Sequence, residues 1–155
     1  MIVVVNLPNE AATAALAGYL AALARPGDII ALRGDLGAGK TAFARAFIRA
    51  RSTADEEVPS PTFTLVQTYP DADATVWHFD LYRLTAADDA WELGIEEAFA
   101  SGISLIEWPD RLGRLLPPHR LEITLEFDRR PEARRAVIDG GADWRARLHE
   151  IVADA

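Results

Sequence analysis

The sequence predicts an α/β fold in which a mixed β-sheet with flanking helices is extended by antiparallel strands, and three observations carry that reading. A glycine-rich stretch, Gly34-Asp35-Leu36-Gly37-Ala38-Gly39-Lys40-Thr41, joins a strand-length apolar run to a helical pattern. Two more apolar runs, residues 76–79 and 103–106, each end in a carboxylate, Asp80 and Glu107. Finally, Leu121, Ile123, Leu125 and Phe127 alternate with Glu122, Thr124 and Glu126, the period of a half-exposed strand, and residues 134–139 can pair back on it. At 155 residues, 50% of them apolar, the chain reads as one domain, residues 1–155, able to bury a core.

In chain order, Ile2-Val3-Val4-Val5 reads as a buried strand. Pro8-Asn9-Glu10 opens a helix, with Asn9 as N-cap and Glu10 in the first turn. Leu16, Leu20 and Leu23 continue it at helical spacing, and Arg25-Pro26-Gly27 stops it. Residues 28–32 form the strand before Gly34, and Phe43 and Phe47 mark one face of the following helix, to about Ala50. Residues 52–61 are polar and interrupted by Pro59 and Pro61, hence a loop. Residues 63–69 and 75–79 flank the turn Pro70-Asp71-Ala72-Asp73 and predict an antiparallel hairpin. Residues 86–100 read as a helix broken near Gly94, residues 103–106 as a short buried strand, and residues 110–116 as a helix before Pro117-Pro118. A last helix sets Trp144, Leu148 and Ile151 on one face.

The glycine-rich stretch fits the phosphate-loop template G-x-x-x-x-G-K-[ST] at every fixed position. Gly34, Gly37 and Gly39 release the backbone for left-handed turns and let its N–H groups approach an anion. A strand, such a loop and a helix N-terminus together make an anion site from unpaired amides and the helix dipole. Lys40 brings a compact positive charge to the outer phosphates, and Thr41 a hydroxyl for the accompanying magnesium ion. Lys40 is also the only lysine in the chain. The fold class is therefore a P-loop NTPase core.

Hydrolysis or transfer further needs a carboxylate near the metal. Asp80 and Glu107 end apolar strands, and in an open α/β sheet both emerge at the carboxyl edge with the phosphate loop. One holds the metal, directly or through water, while the other orients the attacking water. Ser60-Pro61-Thr62 is either a segment that senses the terminal phosphate or a rigid turn. His78 reads as a packing residue, and Arg129, Arg130, Arg134 and Arg135 either as the decoration of a hairpin turn or as a contact to nucleotide or partner.

Composition removes other classes. The net charge of −8 argues against a broad grip on nucleic acid, so any action on RNA runs through a partner. Cysteine is absent, and His78, His119 and His149 form no ligand-spaced pair, which disfavours zinc. With no apolar run of membrane-spanning length and no signal-peptide pattern, no membrane association and a cytoplasmic location are expected.

Five segments in series are more specific than the phosphate loop: GDLGAGKT, then SPTF at Ser60–Phe63, HFDLYRL at His78–Leu84, ELGIEE at Glu92–Glu97 and LIEWPDR at Leu105–Arg111. Together they resemble the TsaE family, over about three-quarters of the chain from Pro8 to Leu121. The resemblance implies a bacterial P-loop ATPase, slow alone and stimulated by partners, using ATP and Mg2+. Its role would be in forming N6-threonylcarbamoyladenosine at position 37 of tRNAs that read codons beginning with adenosine. The implied partners are TsaB and TsaD, whose turnover its ATP cycle supports, with tRNA met only indirectly.

Carried over by motif, Asp35, Leu36, Gly37, Ala38, Gly39, Lys40 and Thr41 would bind nucleotide, with Thr62 in the switch-like loop. Glu10 and Arg134 match less diagnostic positions near the nucleotide. Thr41 and Glu107 would hold the metal, and Asp80, Glu107 and Lys40 would be catalytic. Trp108 and the Tyr82-Arg83 pair would shape the site or the partner surface. Phe63 stands where the family commonly has tyrosine, and the chain after Phe127 diverges.

Two other readings compete. A small-molecule kinase of the shikimate-kinase type shares the loop, but needs an arginine-bearing lid, and residues 52–57 are short. A nucleotide-gated binding module with negligible turnover shares every motif. A GTPase is disfavoured, because the guanine-reading N-K-x-D needs a second lysine.

Overall fold

The computed structural model of the protein describes residues 1–149. β1 (Ile2–Leu7) leads into α1 (Glu10–Leu23), whose N-cap Asn9 accepts the Ala12 N–H at 2.9 Å. β2 (Ile29–Arg33) runs through the glycine-rich loop into α2 (Lys40–Arg51). β3 (Val66–Pro70) and β4 (Thr75–Asp80) form the hairpin. A 3₁₀ segment (Ala87–Leu93) and α3 (Ile95–Ser101) follow, divided at Gly94 in the left-handed region (φ 87°). Next come β5 (Ile103–Glu107), a second 3₁₀ segment (Pro109–Leu115), the antiparallel pair β6 (Leu121–Phe127) and β7 (Arg134–Asp139), and α4 (Ala142–Arg147).

The strands form one seven-stranded sheet in the order β1-β7-β6-β2-β5-β4-β3. Its middle, β6-β2-β5-β4, is parallel, and antiparallel strands extend both sides. This is the mixed sheet with flanking helices that the patterns predict. Alternation along each strand decides which layer a side chain joins. Ile30, Leu32, Leu105 and Ile123 pack with Leu16, Leu20, Phe43 and Phe47 of α1 and α2. Ile29, Phe79 and Ile106 face the other way, towards Ala90, Ile95, Ala98 and Leu112. β2 and β5 are covered on both faces, which is why they read as unbroken apolar runs. Leu32 pairs with Glu107, and Glu107 with Asp80, so the carboxyl ends of β2, β5 and β4 finish level. That levelling builds the site.

The structure corrects two strand readings. β1 is an edge strand rather than a buried one: Val3 and Leu7 enter the core, while Ile2 and Val4 are exposed on the other face. The first half of the 63–69 run is not strand. Residues 62–64 turn, the Leu65 N–H donates to the Pro61 carbonyl, and Leu65 itself has φ 69°, so β3 starts at Val66. Phe63, counted there as a strand side chain, lies 80% exposed. Trp144 and Leu148 of the last helical face are buried, and Ile151 lies outside the described residues. Among the described residues no helix is long and apolar enough to cross a membrane.

Candidate active site

The glycine-rich loop sits where β2 ends, pressed against β6. Gly34 adopts φ 142°, and a Cβ on it would lie 2.5 Å from the Leu125 carbonyl oxygen. Only glycine fits there. Gly39, at φ 109°, is the N-cap of α2 and brings no capping side chain. The first-turn amides of α2 thus lack a side-chain acceptor and, with the helix dipole, favour an anion in front of them.

Lys40 folds back over this loop. Its ammonium donates to the Gly34 carbonyl and, at 3.0 Å, to the Asp35 carbonyl, and lies 4.2 Å from the centre of the Trp108 ring. Burial lowers its pKa from the ordinary lysine value, and the nearby Glu107, Asp80 and Asp35 charges oppose that fall. Trp108 reaches the lysine from a left-handed backbone (φ 58°, ψ 53°), a conformation that costs a non-glycine residue about 1 kcal/mol or more. Tyr82 also packs on Trp108, with ring centroids 5.0 Å apart and planes tilted by 50°.

The two strand-end carboxylates are both buried. Glu107 accepts the Thr41 hydroxyl at 2.9 Å on one oxygen and 3.2 Å on the other, and His78 Nε2 lies 2.7 Å from the second oxygen. Asp80 accepts the Thr62 hydroxyl at 3.1 Å and the Tyr82 N–H at 3.1 Å. Thr62 in turn shares a 2.8 Å hydrogen bond with Ser60, so the Ser60-Pro61-Thr62 segment is tied to the second carboxylate. Among the described residues neither carboxylate has an Arg or Lys within salt-bridge distance; their partners are hydroxyls, an amide and an imidazole.

Two adjoining clefts open here. One, of about 240 Å³, is lined by Leu36, Gly37, Gly39, Lys40, Thr41, Thr62, Asp80, Glu107 and Trp108. The next, of about 270 Å³, is lined by Glu10, Thr13, Gly37, Ala38, Gly39, Glu132 and Arg134. Arg134 donates to the Ala38 carbonyl at 3.1 Å and the Gly37 carbonyl at 3.2 Å, bracing the loop across the fold. The residues carried over as nucleotide-binding, metal-holding or catalytic line one of the two clefts, except Asp35, whose carbonyl accepts from Lys40; Tyr82 and Arg83 line neither. A larger groove between α1 and α2, about 430 Å³, contains neither Lys40 nor either carboxylate. Sequence reasoning missed His78, read as packing but joined to Glu107. The signal was its place two residues before Asp80, on the same face of β4.

Among the described residues no group of three or more His, Cys, Asp or Glu side chains is placed to hold a metal unaided. The Thr41 hydroxyl and Glu107 carboxylate are hard oxygen donors beside an anion cradle. That donor set fits magnesium, which binds few protein groups and shares its remaining positions with phosphate oxygens and water.

Comparison with known proteins agrees with this geometry. The family model described as threonylcarbamoyl adenosine biosynthesis protein TsaE matches residues 7–137. The tRNA threonylcarbamoyladenosine biosynthesis protein TsaE of Rickettsia felis is 45% identical over 120 residues, 77% of this chain and 70% of that one. The Bacillus subtilis protein of the same name is 40% identical over 119 residues, 76% and 73% of the two chains. The crystal structure of Bacillus subtilis YdiB superposes with a TM-score of 0.80 at 29% identity, covering 99% of this chain and 96% of that one. The chain belongs to the TsaE family.

Proposed function

We propose that this protein is a cytoplasmic, single-domain, magnesium-dependent ATPase acting in the formation of N6-threonylcarbamoyladenosine at position 37 of tRNAs that read codons beginning with adenosine. It works with TsaB and TsaD and sustains their turnover, meeting tRNA only through them. One observation carries the nucleotide chemistry: Thr41, the last residue of the phosphate loop, donates its hydroxyl to Glu107 at the end of β5. That contact joins an anion cradle to an acidic strand end, as nucleoside triphosphate hydrolysis needs. The TsaE names of the relatives support the pathway.

In this reading the amides from Asp35 to Thr41 cradle phosphate, and Lys40 exchanges a loop carbonyl for the outer phosphates. Thr41 and Glu107 hold magnesium, which when bound neutralises charge on the phosphate oxygens. Asp80, held by Thr62 and the Tyr82 amide, orients the attacking water, so a change at the Ser60–Thr62 segment is felt at that carboxylate. Glu10 and Arg134 flank the cleft left for the nucleoside.

Steady-state phosphate release from magnesium-ATP, with and without purified TsaB–TsaD, tests this, with Lys40→Ala as the blank. Slow release that rises with the pair is expected. Indifference to the pair, with stimulation by a small hydroxylated metabolite, would replace the reading with a kinase. Tight binding without turnover under every condition would leave a nucleotide-gated binding module.

A further inference from the structure

We infer that His78 is a positioning residue for Glu107: its imidazole holds the carboxylate turned towards Thr41. The inference rests on the proposed assignment of Glu107 to the metal.

β4 and β5 run parallel with His78 opposite Leu105 and Asp80 opposite Glu107. Alternation puts His78, Asp80, Leu105 and Glu107 on the same face of the sheet, the face that α2 covers. Towards β5 and β2 the neighbouring positions of that layer are apolar, Ile103, Leu105, Ile30 and Leu32, as is Val76 on β4; on the other side Gln67 of β3 pairs opposite His78 and donates to the Thr64 hydroxyl at 3.1 Å. His78 is entirely buried among them. Nε2 meets Glu107 at 2.7 Å, while Nδ1 has no hydrogen-bond partner.

A buried ring with one nitrogen bonded and the other orphaned is a poor core filler, because the orphan loses its hydration and gains nothing. A leucine would fill the layer better. What the histidine supplies is a single directed N–H. Since Glu107 accepts, Nε2 carries a proton. The Thr41 hydroxyl alone spans both carboxylate oxygens, at 2.9 and 3.2 Å, and leaves the carboxylate plane free to swing. A second donor fixed in the sheet, on one of those oxygens, stops the swing. The carboxylate is thus gripped from the helix side by a residue of the phosphate loop and from the sheet side by a ring that cannot move. Outer partners of this kind orient metal ligands.

The test uses the full chain, ATP, and Mn2+ as the paramagnetic counterpart of magnesium. Mn2+ titrations in the presence of ATP, read by electron paramagnetic resonance, should show His78→Leu raising the half-saturating Mn2+ concentration about 10–100-fold, as loss of an outer partner does. ATP affinity in EDTA should move by less than about twofold, since the cradle is untouched. His78→Gln, whose side-chain N–H can reach the same oxygen, should return Mn2+ binding to within about threefold of the unsubstituted protein. A purely structural role predicts the opposite order, with leucine tolerated at least as well as glutamine. Unchanged Mn2+ binding in His78→Leu, or glutamine no better than leucine, overturns the inference. Absence of metal-assisted ATP binding in the unsubstituted protein would instead sink the proposed function. The Nε2 proton is read independently of either variant, from ¹⁵N resonances of the unsubstituted protein: a protonated Nε2 is expected, and a bare Nε2 overturns the grip.

Discussion

The two edges of the parallel strands treat buried charge in opposite ways. At the amino edge, charges close on one another. Arg147 donates to both oxygens of Asp28, before β2, and to Asp143, and Arg51 pairs with Asp71 in the β3–β4 turn at 2.7 Å. The pairing shows in the acid–base behaviour: hydrogen bonds to Asp28 and Asp143 hold the Arg147 guanidinium above its ordinary value, and Asp143 lies below the carboxylate range. At the carboxyl edge Arg33, on the face away from the phosphate loop's helix, is paired with Glu122 and Asp110, but the more deeply buried Glu107, Asp80 and Lys40 each take neutral partners. Lys40 reaches carbonyls while three carboxylates, Glu107, Asp80 and Asp35, stand close enough to bear on its pKa. A frame resolves its electrostatics internally; a site leaves them to be completed by what binds.

Substitutions at the two edges should therefore separate function from stability. Lys40→Ala has the largest expected effect: at least ~100-fold loss of hydrolysis, with the melting temperature held or raised, since functional charges are commonly retained at the expense of stability. Phosphate release and calorimetry check it, and a large drop in melting temperature would erase the contrast. Glu107→Ala should lower hydrolysis about 100-fold while ATP binding in EDTA persists, and normal turnover would remove Glu107 from the metal. Arg147→Ala should do the reverse. Stranding Asp28 costs about 3 kcal/mol, roughly 10 °C in melting temperature, with ATP affinity unchanged.

Acid gives the smallest effect. Burial alone would raise the Asp71 carboxyl, but hydrogen bonds from Arg51 and the amides of Ala74 and Asp73 carry it below its ordinary value. Glu122 is likewise lowered, chiefly by the Arg33 hydrogen bond. A depressed folded pKa contributes stability that is complete above the unfolded value and lost as pH falls through the folded one. The melting temperature should thus hold from neutrality to about pH 5 and decline below about pH 4, with a shallower acid slope in Arg51→Met by up to about 1 kcal/mol. An identical slope would mean that Arg51 does not set the behaviour of Asp71.

How much of this was legible depended on how local each signal was. The phosphate loop is written in consecutive residues, and Asp80 and Glu107 follow apolar runs long enough to read as strands. Their meeting was legible because parallel strands end at the same edge. The grip of His78 on Glu107 was not, since it exists only once β4 and β5 pair in a register that no neighbouring residue encodes. Arg134 is a similar case: its hold on Ala38 joins residues 96 apart in the chain, and the letters alone left it between a hairpin decoration and a contact to nucleotide or partner. β3 and β1 failed for another reason. Apolar letters announce burial, but Phe63, Ile2 and Val4 remain exposed, Phe63 under the guanidinium of Arg83.

The seat of Lys40 has a consequence for covalent chemistry. It is the only side-chain amine in the sequence, and it lies beneath Trp108 with 5% of its surface accessible. An acylating reagent that spares the α-amino group therefore has one target, and reaching it silences the phosphate loop. Amine chemistry that passes over the α-amino group, mild for most proteins, acts on this one as site-directed inactivation. Bound nucleotide should shield it.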